Sequence, residues 1–450
     1  MENGLFIFRR DLRIIDNKGL NHLQTKCKNI FTIFIFTPEQ VVSNEFRSEN
    51  AILFMMESLS DLEEKIREKG GKLLFFYGDN ETVIRKCITA LKIDIICFNM
   101  DCTPYSVKRD EDIKKIGVPV ETGGDYYLNW LGSIKTGTKT IYKKFTPYYN
   151  TAVKHEVEDP HTSTIRFSKA EPSFSLSLLS IIKKLKIKEN KNRVVFGGRD
   201  NALQCLIRAK KEQANYSETH NELSKNTSQL SAFIKFGCLS VREVYKEFKD
   251  NKDFIRQLYW RDFYANIMYA YPEVLKEAMK PTYRTIKWTN NPKWFQAWTE
   301  GKTGFPVVDA GMRELNATGY MHNRARLITA SFLIKTLLIN WQEGEKYFAK
   351  HLTDYDPASN NLNWQWCASS AVDSQPYFRI FNPWLQSKTY DEEAEYIKKW
   401  IPELESVLAK DIHTWFKTYE KYAEATHYPG PIVSYEEQKE KALKMYKEIE

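Results

Sequence analysis

The chain has 450 residues, 42% hydrophobic and 28% charged, which excludes a disordered or fibrous protein and supplies core for two or three domains. Lys+Arg outnumber Asp+Glu by 66 to 58, a net charge of +8 that permits nucleic acid as a partner without requiring it. No apolar run approaches the ~18 residues of a membrane span, and MENGLFIFRRDLR is not laid out as a signal peptide, so a soluble intracellular protein with no membrane partner is expected, its compartment left open.

In chain order, Leu5–Phe8, Ile30–Phe36, Lys72–Tyr77 and Ile93–Asn99 are short apolar runs that predict buried strands. Between them, Glu49–Lys69 and Glu81–Leu91 carry apolar residues at helical spacing. Strand–helix–strand alternation predicts an α/β domain over residues 1–128, a doubly wound parallel sheet. Ligands of such sheets sit at the strand ends. Here Arg9, Arg10 and Arg13 follow the first run, and Asn99, Asp101 and Tyr105 follow the fourth. No Gly-x-Gly-x-x-Gly occurs, so a conventional NAD site is not expected.

Residues 129–200 are rich in Pro, Thr and Ser, lack periodicity and read as a connector. From 201 to 450 the pattern is helical, at Asn201–Gln213, Val241–Phe248, Asp253–Ala270, Val307–Ala317, Arg324–Leu338 and Asp391–Trp400, and predicts an all-helical domain. Seven cysteines stand scattered without metal spacing, and no His-Glu-x-x-His occurs; free thiols in a reducing compartment and no metal site are expected. GKT at 301–303 lacks the upstream glycine of a phosphate loop, having Gln296 in its place.

Residues 319–384 combine arginines on an apolar-patterned helix, the pair Asp354 and Asp356, an Asn-rich turn and interleaved aromatics. A core does not need that mixture, because buried polar groups must find partners. A large aromatic, partly anionic ligand would use all of it. Each motif also has a plain structural reading. Thr227-Ser228-Gln229-Leu230-Ser231 can cap the helix that follows or seat a phosphate. Trp364 and Trp366 can be core indoles, and the two aspartates can be turn or cap residues, with Arg326 as an ion partner.

Taken in order, FIFRRDLRIIDNKGL, NYSETHNELSKNTSQLS, LYWRDFYANIM, GKTGFPVVDAGMRELNATGYMHNRARLITASFL, NWQWCASSAVDSQPYFRIFNP and HYPGPIV resemble the cryptochrome/photolyase flavoprotein family, closest to class I cyclobutane-dimer DNA photolyases. The resemblance implies an antenna-type α/β domain followed by a helical domain that holds FAD, and a monomeric enzyme acting on UV-damaged DNA with no obligate protein partner. By motif position, Tyr216 and Thr227, Ser228, Gln229, Leu230 and Ser231 would hold the FAD phosphates. Asp354 and Asp356 would line the flavin and ribose, Arg326 would brace Asp354, and Asn360 would face the flavin N5. The implied reaction is light-driven electron donation from reduced FAD to a pyrimidine dimer.

The same resemblance places Trp260 and Trp366 against the extruded dimer and Asn323 at the flavin–dimer interface. It places Arg261, Arg324, Arg379 and Gln386 at DNA contacts, and Trp364, Trp341 and Trp288 along an electron path to oxidised flavin. Two positions depart from class I: Gln257 replaces a Glu at the dimer, and Leu327 replaces a Met. Gln257 is a feature of (6-4) photolyases, but Asn323 and Leu327 occupy the places of their catalytic histidines. Cyclobutane dimers are therefore the expected substrate, with a (6-4) enzyme or a non-repairing blue-light receptor as alternatives. For a second, antenna chromophore, N99-M-D-C-T-P-Y-S-V-K-R-D110 resembles deazaflavin-holding photolyases. Lys108 and Arg109 replace the folate-binding pair, which favours deazaflavin over folate and leaves an empty pocket open.

Overall fold

A computed structural model describes residues 1–449. The strands β1 (Asn3–Phe8), β2 (Asn29–Phe36), β3 (Leu73–Tyr77), β4 (Ile95–Asn99) and β5 (Val120–Gly123) form one sheet in the order β3-β2-β1-β4-β5, every pair parallel. The crossovers are the helices Lys18–Lys26, Glu49–Glu68, Asn80–Leu91 and Pro104–Lys114. Each starts where a short polar side chain accepts a free N–H of the first turn: Asn17, Ser48, Asp79 and Thr103. The expected doubly wound domain is present. The fifth strand was not foreseen because VETG has no apolar run, and the helices KGLNHLQTK and PYSVKRDEDIK were missed because their exposed faces are polar.

Alternate residues of β1 serve different cores, as the two-residue period of a strand requires. Leu5 and Ile7 pack one face of the sheet with Ile33, Phe76 and Ile96. Phe6 and Phe8 join a core that continues through Phe54 into Phe233, Phe236 and Phe263 of the helical half. A second helical core gathers Trp298, Leu333, Phe348, Trp364 and Trp415. Buried ion pairs stitch the halves together. Arg13 and Arg242 both hold Asp125 at 2.7 Å, and Arg242 also holds Asp16 at 2.9 Å.

The segment expected as a plain connector is more structured than its composition suggests. It contains the helices Phe145–Ala152 and Leu178–Leu185, and it meets the sheet through the bridges Ile30↔Phe167 and Phe75↔Leu176. Phe145 lies face to face with Trp260, ring centres 3.7 Å apart, and its N–H donates to Asp373. Among the expected helices, Val241–Phe248 is found with the same bounds, whereas the one expected from Asp391 starts at Glu395. Asp391 instead accepts the N–H groups of Tyr396 and Ile397 ahead of that helix. Among the described residues, no helix is long and apolar enough to cross a membrane.

Candidate active site

A cavity of ≈ 340 Å³ opens in the helical half. Gln257 and Arg261, from the helix Lys252–Ala270, form one side. Asn323, Arg326 and Leu327, from the helix Asn323–Lys335, form another. Asp354, Asp356, Asn360 and Trp364 come from the turn into and body of the helix Pro357–Cys367, and Tyr216, Thr227, Ser228, Leu230 and Ser231 complete the wall. Residues scattered over about a third of the chain in sequence thus share one hollow.

The acid pair is built by different partners. Arg326 grips Asp354 with both nitrogens of its fork, at 3.1 and 2.9 Å, and Ser231 Oγ donates to the same carboxylate at 2.6 Å. Arg326 Nε is used on the Met321 carbonyl at 2.9 Å, so the guanidinium is fixed in orientation. Asp356 accepts the Ser359 N–H as a helix cap and pairs at 2.6 Å with Arg10, which arrives from the end of β1. Burial opposes ionisation of Asp356, but Arg10, Arg261 and Lys235 outweigh it and hold the carboxyl well below the usual carboxylate range.

The run 227–231 does not cap the helix Ser231–Phe236, whose N-cap Leu230 has no side-chain bond. Ser231 is committed to Asp354, and Gln229 sits in the left-handed region at φ 54°. Gln229 faces a neighbouring cavity of ≈ 580 Å³, where its amide oxygen accepts from Arg208 at 2.8 Å. The two cavities share Asn226, Thr227, Tyr320 and His322 as walls. His322 caps the helix Asn323–Lys335 by accepting the Arg324 N–H on Nδ1. Burial, followed by Arg326 and Arg324, pushes its pKa down to about 4, so the ring is neutral and able to accept.

The expected DNA residues separate into two groups. Gln257 and Asn323 are both exposed, and both line the cavity. Arg261, expected on a DNA contact, is half-buried in the cavity wall, donates to the Tyr126 carbonyl, and leaves Nη2 buried without a partner. Trp260 is half-buried, with one face covered by Phe145. Trp260, Arg324, Trp366, Arg379 and Gln386 do not line the cavity. Arg324 bonds Asn221 at 3.1 Å and lies 4.4 Å above the Tyr390 ring, Arg379 is exposed, and Trp366 and Gln386 are half-buried.

Of the expected electron path, only Trp364 reaches the cavity. Its ring meets Phe348 at 4.9 Å and Trp298 at 6.3 Å. The buried Trp341 starts the helix whose Gly344 packs on the Trp364 ring, and the half-buried Trp288 contacts Tyr446. A side chain at Gly344 would place its Cβ 2.2 Å from Trp364.

A third cavity, of ≈ 600 Å³, lies at the carboxyl ends of β1 and β4, where the strand order reverses. Arg9, Arg10, Asp101, Tyr105 and Arg109 line it. Lys235 and Tyr355 form a common wall between the two, because both residues also line the first cavity. Burial and then Arg10 push Lys235 down to about 8. Sequence reasoning missed Lys235; the available signal was a single charge inside the otherwise apolar SAFIKF.

The donor set of the first cavity fits an FAD. Arg261 has a buried nitrogen awaiting an acceptor, Arg326 and Asp354 form a fixed fork, and an amide and an indole line the far wall. Residues 254–448 match the family model for the FAD binding domain of DNA photolyase, and residues 5–164 match that for DNA photolyase. The deoxyribodipyrimidine photo-lyase of Halobacterium salinarum is 33% identical over 98% of both chains, and that of Escherichia coli is 32% identical over 99% of this chain and 98% of its own. Among solved structures, an archaeal photolyase from Sulfolobus tokodaii with two FAD molecules has 38% identity and a TM-score of 0.88, covering 99% of this chain and 100% of its own. A class III photolyase from Agrobacterium tumefaciens has 29% identity and a TM-score of 0.93, covering 100% and 98%. A Synechocystis cryptochrome shares the fold at 25% identity and a TM-score of 0.87, covering 99% of each. Matched in both halves and related along its whole length to curated photo-lyases, the chain belongs to the DNA photolyase family.

Proposed function

We propose that the chain is a light-driven DNA repair enzyme, a deoxyribodipyrimidine photolyase that splits cyclobutane pyrimidine dimers. The observation that carries this reading is one cavity that joins a flavin-type lining, Asn360 with the Arg326–Asp354 fork, to exposed Gln257 and Asn323. When bound and reduced, FAD supplies the light-driven electron; the protein contributes placement and electrostatics. Arg326 and Ser231 orient Asp354, His322 fixes the start of the helix carrying Asn323, and Arg261 offers a buried donor for phosphate. Asn360 presents a neutral amide, which adds no negative charge beside a reduced flavin.

Gln257 has no titratable proton near neutral pH, and neither Asn323 nor Leu327 can serve as an acid. The test is illuminated repair of defined cyclobutane and (6-4) lesions in parallel. Only the cyclobutane lesion is expected to revert, and Gln257→Glu should retain that repair; reversal of (6-4) products would move the chain to another branch. A second expectation concerns DNA affinity. Arg324→Ala should weaken damaged and undamaged DNA alike and lower the salt slope by about one unit. Trp260→Ala should instead reduce preference for damage, since base stacking is worth about 1–3 kcal/mol per base. Filter binding over a salt series reads both.

The third cavity is the antenna site of this reading. A deazaflavin-type chromophore is favoured over a folate there, because Lys108 and Arg109 stand where the folate-binding pair would, and Arg109 lines the cavity. The absorption spectrum of the purified protein, with a band beyond those of FAD, tests its presence.

A further inference from the structure

Behind the amide wall of the first cavity lies a carboxyl that the proposed reaction leaves unused. Glu345 is buried on the helix Trp341–His351, and its Oε1 accepts from Asn361 Nδ2 at 3.1 Å. Its main-chain carbonyl accepts from Asn360 Nδ2 at 3.2 Å. One residue therefore holds both members of the Asn360–Asn361 pair, the first lining the cavity and the second buried. Asn361 passes the constraint on. Its Oδ1 accepts from Gln365 Nε2 at 3.0 Å, and Gln365 also bonds the Val274 carbonyl and the Met279 N–H. The helix Pro357–Cys367 is thereby locked in rotation about its axis.

An ionised carboxyl here would have no cation to answer it among the described residues. From the turn before Pro357–Cys367 come Tyr355, whose phenol burial keeps protonated, and Asp356, already paired with Arg10. On the helix Asn323–Lys335, Lys335 is engaged by Ser369 Oγ and the Arg379 carbonyl. On its own helix, Lys346 pairs with Glu45, from the segment leading into the helix Glu49–Glu68. His351 bonds the Tyr347 carbonyl, and burial pushes its pKa down. Burial pushes the Glu345 carboxyl up to about 8, so it is a neutral acid at pH 7.

We propose that Glu345 is a positioning residue of the flavin cavity: its main-chain carbonyl holds Asn360, its uncharged side chain holds Asn361 in register, and it adds no negative charge beside a reduced, anionic flavin. This rests on the reading that the cavity holds flavin against Asn360. Ionisation of Glu345 in so dry a place would repel that anion. The reduced form should therefore become harder to reach as pH rises past the titration of this one side chain.

The test is an infrared titration of the purified protein, paired with the flavin midpoint potential over pH 6–10. A protonated carboxyl band is expected at pH 7, titrating near 8 and missing in Glu345→Gln. In the wild type, the potential should show an extra fall through that same pH. Glu345→Gln should reproduce the wild-type potential at pH 7 and lack the fall. Glu345→Leu removes the acceptor of Asn361 and should speed reoxidation at every pH. Absence of the band at pH 7, or persistence of the fall in Glu345→Gln, would overturn the neutral-acid role; wild-type reoxidation in Glu345→Leu would overturn the positioning role. A protein that purifies without flavin would defeat the functional reading instead, leaving the infrared titration valid.

Discussion

Arg10→Met is expected to lower stability by about 3–5 kcal/mol, because it strips a shared cation from two buried carboxylates. Arg10 spans Asp101 at 3.3 Å and Asp356 at 2.6 Å, and all three side chains are close to fully buried. Lys235 and Arg261 remain near Asp356, so the heavier loss falls on Asp101, whose charge is held chiefly by Arg10 against burial. FAD content should fall with stability, since Asp356 caps the helix that carries Asn360. The pH dependence has a definite sign. Both carboxyls are depressed in the folded wild type, so their contribution is complete above the unfolded value of about 3.9 and is lost only as pH falls through the lower folded values. Without Arg10, burial raises those values, and the variant should be weakest relative to wild type at neutral pH and approach it in acid. Urea unfolding at pH 5 and pH 8 measures the difference. A variant equally destabilised at both would show that packing, not charge, is lost. Adding Asp356→Asn to Arg10→Met should restore part of the stability, a coupling that a double-mutant cycle isolates.

Trp364→Phe is expected to abolish rapid light-driven reduction of oxidised enzyme while leaving repair by chemically reduced enzyme largely intact. Trp364 is buried and is the one member of the expected tryptophan path that lines the flavin cavity. Phe keeps an aromatic ring toward Phe348 and gives up the indole edge that lies against Gly344, a loss of packing the fold should tolerate. Trp298 gives the control. It lies 6.3 Å from Trp364 but is fully buried in the second core, so Trp298→Phe should retain photoreduction. Transient absorption of the two variants after a blue flash decides the matter. Loss in Trp298→Phe with retention in Trp341→Phe would redirect the path through the core.

Much of this was legible in the sequence because the relevant signals are local. Four strands announced themselves as apolar runs, and Asp354, Arg326 and Asn360 fell together because they lie on or beside two neighbouring helices. What was illegible depends on closure of the chain. Arg10 and Asp356 are 346 positions apart, and nothing near either one names the other. Likewise nothing near Arg261 names the Tyr126 carbonyl it donates to, 135 positions away. The cap that Thr227 to Ser231 could have supplied is not made, because Leu230, which has no side-chain acceptor, occupies the N-cap and Ser231 donates to Asp354. Polar composition concealed β5, whereas the connector helices Phe145–Ala152 and Leu178–Leu185 are only eight residues each and are lost in a segment rich in Pro, Thr and Ser.

The contact between Phe145 and Trp260 sets where this chain can accept foreign sequence. Residues 154–159 are mostly exposed and reach the rest of the chain through the surface pairs Lys18–Glu158 and Lys246–Asp159, so a tag, a reporter domain or a new pair of termini has room there. A few residues earlier the same strand of chain is no longer free. An insertion at 143–145 would pull Phe145 from the indole and break its bond to Asp373, disturbing two helical segments at once. The connector is thus permissive at 154–159 and committed to packing at 143–145, a boundary that library insertion profiling would draw to within a residue or two.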